Sequence, residues 1–474
     1  MPRMLYKINE FFGLDQSASE NGIAGGMSPD ACNMDTADGA LRVAKGFMPH
    51  IEAPVPGTDV PHRLFLYRSA SDEQFLALAG QSLYAYRAGA WAKVYEYEGT
   101  LENFRFCAVQ AQIGTTDYLI VGCGEKQLIK YDGSAATLFG SAAGVSDLPV
   151  LHLAAYKGRL FSAGDPSNKN RLYWSQLPGN GRTIESWAPA ASSPNVEGGY
   201  AEVGSDGSDP ITGILALSNQ LLIFKRRSMF RLIGEKPGNF TIESVDAVAE
   251  YAAHTALVRV ADAVYYLTDA GLSAFNGVTA RTLADARRIK TFLSGADVSD
   301  ARGVLARDKL LFAVKENGES AIVEYDLMRR AYMLRRGFTA YDLCARDGAA
   351  YLIDGNRLVC KFDTGDSYNG LPIRAWWRTP STDLYEKGAV KAMRQLYLRG
   401  AAETENAAVI AEVTVGGMRS AQRLMLPREQ SDVLEVPLHN EGRVFSLKFE
   451  NEAGGRFSLL GGVELAFEQW RRVE

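Results

Sequence analysis

Histidine and cysteine are scarce in this chain of 474 residues, with five of each. His50, His62, His152, His254 and His439 are scattered, and none has metal-type spacing or a candidate nucleophile beside it, so structural roles are expected of them. Cys32, Cys107, Cys123, Cys344 and Cys360 contain no C-x-x-C pair and are odd in number. They read as small buried apolar residues, which argues against a disulfide framework or a zinc site. Long apolar runs are missing as well. None reaches the roughly 18 residues of a membrane-spanning helix, and the opening stretch Met1 to Lys7 has no apolar core of signal-peptide length. A cytoplasm is therefore the expected site of folding. The chain also lacks a P-loop, a G-x-G-x-x-G turn, a G-x-S-x-G elbow and an H-E-x-x-H helix. Without a recognisable nucleophile–base pair, no enzymatic activity, cofactor or metal is expected. The segment Asn33 to Gly39 approaches a calcium loop but has Ala37 where an oxygen ligand belongs, and Ser205 to Asp209 is similar in composition; both read as turns. A net charge of −5 argues against a generally basic nucleic-acid binder.

What the chain does have is a hairpin phrase that recurs seven times. It reads Leu83-Tyr-Ala-Tyr86, Leu128-Ile-Lys-Tyr131, Leu172-Tyr-Trp-Ser175, Met229-Phe-Arg-Leu232, Leu272-Ser-Ala-Phe275, Ile322-Val-Glu-Tyr325 and Leu358-Val-Cys-Lys361, at steps of 45, 44, 57, 43, 50 and 36 residues. A second apolar run precedes most of them, such as Phe75 to Leu78, Leu221 to Phe224 or Leu310 to Ala313. Ten Asn-Gly or Asp-Gly pairs, Asn317-Gly318 and Asp347-Gly348 among them, supply tight turns. Short strands at this period predict propeller blades, since one blade cannot bury both of its faces. The fold class expected is all-β: a β-propeller of about seven blade-like units followed by a C-terminal β-sandwich.

Three regions break the rhythm. Residues 1–60 read as an arm with short strands that partly joins the propeller, by lending a closing strand. Residues 179–210, rich in Gly, Ser, Asn and Pro, read as an exposed loop. Ala284 to Leu293 is the best helix candidate, with Ile289, Phe292 and Leu293 on one face. The propeller is assigned to 61–368 and the sandwich to 369–474, where alternating strands such as Val390 to Leu398 and Val409 to Val415 begin.

Basic clusters are the remaining signal: Lys225-Arg226-Arg227, Arg287-Arg288, Arg329-Arg330 with Arg335-Arg336, and Arg471-Arg472. Contact with an acidic partner or a nucleic-acid backbone competes with a plainer role, charged strand edges that block edge-to-edge pairing. Trp376-Trp377 opens the last domain, and adjacent residues on a strand face opposite ways, so one ring suits the core and the other an interface. Possible interface residues are thus Arg226, Arg227, Arg329, Arg330, Arg335, Arg336, Trp376 and Trp377.

Phe12-Gly-Leu-Asp15, Met27 to Asp35, Asp38 to Phe47, Arg171 to Ser175, Ile211 to Ile214, Leu221 to Phe230, Tyr265 to Leu272, Phe275-Asn-Gly277 and Phe457 to Glu464 together give a resemblance. The chain resembles the β-propeller tail nozzles, or packaged-DNA stabilisation proteins, of short-tailed phages. The resemblance implies a virion protein made in the host bacterial cytoplasm. It implies a homo-oligomeric ring, a hexamer, below the portal and its adaptor. That ring would extend the DNA channel and help retain the genome, with a tail fibre or tailspike as a further partner and no sequence-specific grip on the DNA. It carries over no catalytic, cofactor or metal residue. Two other classes stay open: a phage receptor- or glycan-binding propeller, and a propeller glycosidase or lyase with acidic residues at its axis. The arm or the 179–210 insertion is expected to touch a neighbouring subunit or the adaptor.

Overall fold

Tight turns fix the register of each hairpin. Asn317 and Gly318 both have positive φ, 51° and 84°, which closes a two-residue turn between the paired residues Glu316 and Glu319. Asp347 and Gly348 do the same between Arg346 and Ala349. The computed structural model describes residues 3–471 apart from 141–148, 188–194, 205–208, 246–253, 269, 385, 406 and 430–431. Among the described residues, seven four-stranded antiparallel sheets form the blades of a β-propeller. Blades 1 to 6 span 61–96, 107–138, 152–202, 211–245, 257–282 and 296–335. Blade 7 takes three strands from 340–362 and its fourth, Phe47–Ile51, from the N-terminal segment. Pro49 suits that outermost place, because a strand with one free edge tolerates a missing N–H.

Each of the seven repeat phrases lies on the third strand of a blade or runs into it. The second strands beside them, such as Leu221–Lys225 and Arg159–Ala163, are buried along their whole length, as expected where both faces meet neighbouring blades. First strands pack on one another around the axis. The ring is also closed by charge: Asp342 in blade 7 accepts hydrogen bonds from Arg302 of blade 6 (Nε at 3.0 Å, Nη2 at 3.1 Å) and from the Leu64 N–H of blade 1 (2.7 Å).

The β-sandwich packs a seven-stranded sheet on a five-stranded one. Its central strands are Ala389–Ala402 and Phe457–Arg471 in the first sheet, and Ala408–Val415 and Phe445–Asn451 in the second. Four of its strands come from the start of the chain: Met4–Ile8, Met34–Asp35 and Leu41–Val43 in the larger sheet, and Asp30–Cys32 in the smaller. The first 60 residues therefore serve both domains. Asn33, at φ 55° and buried, is the pin between them. Its amide donates to the carbonyls of Arg336 (3.0 Å) and Arg374 (2.7 Å), and its oxygen accepts from the Arg336 N–H (2.9 Å) and the Tyr368 hydroxyl (2.8 Å). Gly13 lies so close to blade 6 that a Cβ there would meet the Tyr332 carbonyl at 2.1 Å. One continuous core runs from blade 6 through the arm into the sandwich, from Leu311 and Tyr332 to Phe11, Trp377 and Phe449.

The expected helix is a 3₁₀ turn, Ala286–Ile289, followed by the short α-helix Lys290–Ser294, with Ile289, Phe292 and Leu293 buried. The insertion departs from the exposed loop expected of it. Gly199–Glu202 is the fourth strand of blade 3, and Ile184 and Trp187 are buried in the core. Buried Arg159 captures its returning end, donating to the carbonyls of Asn195 (2.9 Å) and Glu197 (2.8 Å). Its polar composition hid a strand with one large side chain and two isolated anchors. Residues 188–194 of the insertion, and 205–208 of the Ser205–Asp209 turn, lie outside the described residues.

Candidate functional site: the propeller axis and the arginine clusters

The first strands of the blades line an axial cavity of about 490 Å³. Its wall is largely apolar, with side chains such as Leu66, Val109, Leu153, Leu215, Leu257 and Val304. Among the described lining residues there is no carboxylate, and the nearby Asp342 is already committed to Arg302 and the Leu64 N–H. One end opens into a mouth of about 360 Å³ where Arg63, Arg105, Lys169, His152, Asp165 and Asp300 gather. Its two carboxylates are engaged: Asp300 pairs with buried Arg63 at 2.5 Å, and Asp165 accepts from Asn168 Nδ2 and the Tyr173 hydroxyl, both at 2.7 Å. Burial alone would raise the Asp165 carboxyl, but those bonds hold it below the usual carboxylate range. Asp300 is thus committed to an arginine and Asp165 to neutral donors.

His62 flanks this mouth on the first strand of blade 1, stacked on Phe104 with ring centroids 3.9 Å apart. Burial, then the Arg63 charge, pushes its imidazole down from 6.5 to about 4. The folded state thus binds this proton less readily than the unfolded chain, so the stabilisation is complete above 6.5 and lost as pH falls towards 4. Between about pH 7 and about pH 5 the group is expected to remove about 1–2 kcal/mol of stability. Thermal midpoints across that range should fall less steeply for His62→Phe, which keeps the stacking; identical slopes would refute the assignment.

The expected interface residues sort into three groups. Arg226 and Arg227 are exposed on the turn between the second and third strands of blade 4, held there by Asp209, which accepts the Arg227 N–H (3.2 Å) and the Ser228 hydroxyl (2.8 Å). Arg329 and Arg330 lie on the turn between the third and fourth strands of blade 6, and they share a cleft with Arg287 and Arg288. Arg329 is turned towards the arm, donating to the Thr36 carbonyl and stacking 4.5 Å above the Phe12 ring.

Arg335 and Trp377 are corrections, since both are buried within this chain. Arg335 Nε donates to Glu324 at 3.0 Å, and Lys309 Nζ reaches the same carboxylate at 2.6 Å. Arg336, just past the end of the strand, pairs with Glu316 at 2.7 Å and covers the Phe292 ring. Trp377 packs edge-on against Phe11, and its indole N–H donates to the Phe12 carbonyl. Trp376 stays half-buried on the other face, donating to Asp30 at 2.8 Å. Alternation along a strand predicted one inner and one outer tryptophan but not which. Arg472 lies outside the described residues. In the Asn33–Gly39 segment, Asp35 and Asp38 accept the Ala37 and Ala40 N–H groups, which is Asx-turn geometry.

No protein-family model and no curated protein matches the chain. Among solved structures it is similar to the Pan2 WD40 domain of Neurospora crassa, at 8% identity and a TM-score of 0.41, covering 68% of this chain and 94% of that one. It is also similar to the extracellular domain of a hybrid two-component system of B. thetaiotaomicron, at 15% identity and a TM-score of 0.39, covering 67% of this chain and 40% of that one. A structure of BBS1N in complex with ARL6DN gives 11% identity and a TM-score of 0.40, with 68% and 98% covered.

Proposed function

We propose that this chain is a structural component of a tailed-phage particle, a non-catalytic subunit of a homo-oligomeric ring, six copies by the resemblance, below the portal and adaptor. The observation that carries the reading is where the resembling segments fall. Phe12 to Asp15, Met27 to Asp35 and Asp38 to Phe47 are the residues that lace the propeller to the sandwich. Leu14 N–H donates to the Tyr332 carbonyl at 2.7 Å, and the Phe47 strand closes blade 7. A subunit held under the pressure of packaged DNA has to transmit load as one body, and this lacing joins the two domains through one core. The axial cavity of each propeller measures only about 490 Å³, too little for duplex DNA, so a DNA conduit would run between copies rather than through any one of them. The modest overall acidity of −5 suits a wall that lets DNA slide. Electron microscopy of the purified protein, and of the particle that carries it, tests the reading. A closed ring with a wide central opening is expected. A single copy per particle, or duplex DNA threading one propeller, would overturn it.

A further inference from the structure

Two basic clusters far apart in the sequence converge on one cleft of about 740 Å³ between blades 5 and 6 and the N-terminal arm. Arg287 and Arg288 come from the 3₁₀ turn after blade 5, and Arg329 and Arg330 from the turn in blade 6. We infer that this cleft is a binding site for a phosphate monoester of nucleotide size, with Arg287 and Arg330 as its phosphate-gripping residues.

The walls are fixed rather than loose. Asp326 Oδ1 accepts the N–H groups of Met328 (2.9 Å) and Arg329 (2.8 Å), which holds the blade 6 turn, and Arg330 sits in it at φ 53°. Ala286 and Ile289 are fully buried and peg the opposite wall. Arg288 Nη1 spans the gap to the Arg330 carbonyl at 3.1 Å.

The charges do not balance. Four guanidiniums face two carboxylates, in a chain whose net charge is −5. Asp285 accepts the Tyr325 hydroxyl at 3.0 Å. Asp15 accepts the Ser17 N–H (2.9 Å) and hydroxyl (2.6 Å) and lies 3.6 Å from Arg288 Nε. Arg329 is engaged with Thr36 and Glu10 on the arm. Arg287 and Arg330 are exposed, and among the described residues neither has a carboxylate within ion-pair distance. Guanidiniums crowded in a concave site gain most from a compact dianion, whose oxygens they can meet two at a time. The lining is more polar than apolar, offering little to the side chains of an acidic peptide. Tyr265, half-buried in the wall, leaves an aromatic surface for the organic part of an ester. A cavity of this size exceeds one phosphate and suits a nucleotide-sized molecule.

Thermal unfolding and calorimetric titration of the full chain test the site, using inorganic phosphate, a nucleoside monophosphate and a glutamate-rich peptide as probes. The monophosphate is expected to bind and raise the midpoint, inorganic phosphate to bind more weakly at the same site, and the peptide not to compete. Arg287→Gln with Arg330→Gln, both exposed and so expected to fold as the parent does, should weaken the monophosphate by about tenfold or more per arginine. Binding of phosphate as tight as that of the monoester would point to a bare-phosphate site and overturn the nucleotide-sized assignment. Absence of binding, affinity unchanged in the double variant, or preference for the peptide would overturn the site itself.

Discussion

Glu324→Ala is expected to destabilise the fold by about 3–5 kcal/mol, because it takes the closest counter-charge from buried Arg335 and half-buried Lys309, leaving only the longer contacts to Asp363 (3.7 Å) and Asp35 (3.8 Å). Glu324 lies in the third strand of blade 6, between Lys309 Nζ at 2.6 Å and Arg335 Nε at 3.0 Å, and both Glu324 and Arg335 are almost wholly buried. Burial by itself would raise the carboxyl, but Arg335 and Lys309 reverse that and hold it down at about 2. A depressed carboxylate contributes stability above its free value of 4.5 and loses it only as pH falls from there towards 2. The loss on substitution should therefore be the same at every pH above about 5. Arg335 also donates to the Lys45 carbonyl at 3.3 Å, so the network ties blade 6 to the arm. Denaturant midpoints decide the matter. Arg335→Met alone should cost a similar amount, whereas Glu324→Met with Arg335→Met should recover part of it, since an apolar pair leaves only Lys309, which keeps Asp35 at 3.8 Å. A cost below about 1 kcal/mol for Glu324→Ala would mean that water or a neighbouring carboxylate, Asp35 or Asp363, takes over from Glu324.

The propeller was legible because its inner strands obey local rules. Third strands such as Glu319–Asp326 and second strands such as Lys309–Glu316 are largely buried between blades along their middles, so they recur as apolar runs, and Asn317-Gly318 marks the turn between them. The outer strands follow no such rule. Ala136–Leu138 and Ala280–Thr282 are three residues each and largely exposed, so nothing in their pattern separates them from loops. The arm was harder still. Met4–Ile8 pairs with residues 463–467 at the far end of the chain, and such a contact leaves no periodic trace in five residues. The arginine clusters show the same limit. Arg329, Arg330, Arg335 and Arg336 look alike in sequence, yet Arg335 is sealed in the core by an acid eleven residues earlier and Arg330 faces a cleft. That Arg287 and Arg330 line one cleft depends on the packing of blade 5 on blade 6, which no short motif encodes.

Trp377→Ala is expected to cost about 3–5 kcal/mol, in the range for an aromatic ring removed from a packed core. Its indole is completely buried, meets the Phe11 ring edge-on at 4.9 Å and donates to the Phe12 carbonyl at 3.0 Å. Truncation leaves a cavity and an unpaired carbonyl at one place, and both lie where the arm crosses from sandwich to propeller. The damage should therefore appear first in the arm. Amide exchange at Leu14 and Asp15, whose N–H groups bond Tyr332 and Ser28 at 2.7 Å, should accelerate well before exchange in the blade 4 strand Leu221–Lys225. Trp376→Ala is the control. That ring is half-buried on the opposite face, with its N–H on Asp30 and the Lys448 ammonium 5.8 Å above it, so its loss should cost about 1 kcal/mol or less. Equal losses for the two tryptophans, or an arm whose exchange stays slow in Trp377→Ala, would mean that the junction does not depend on this ring.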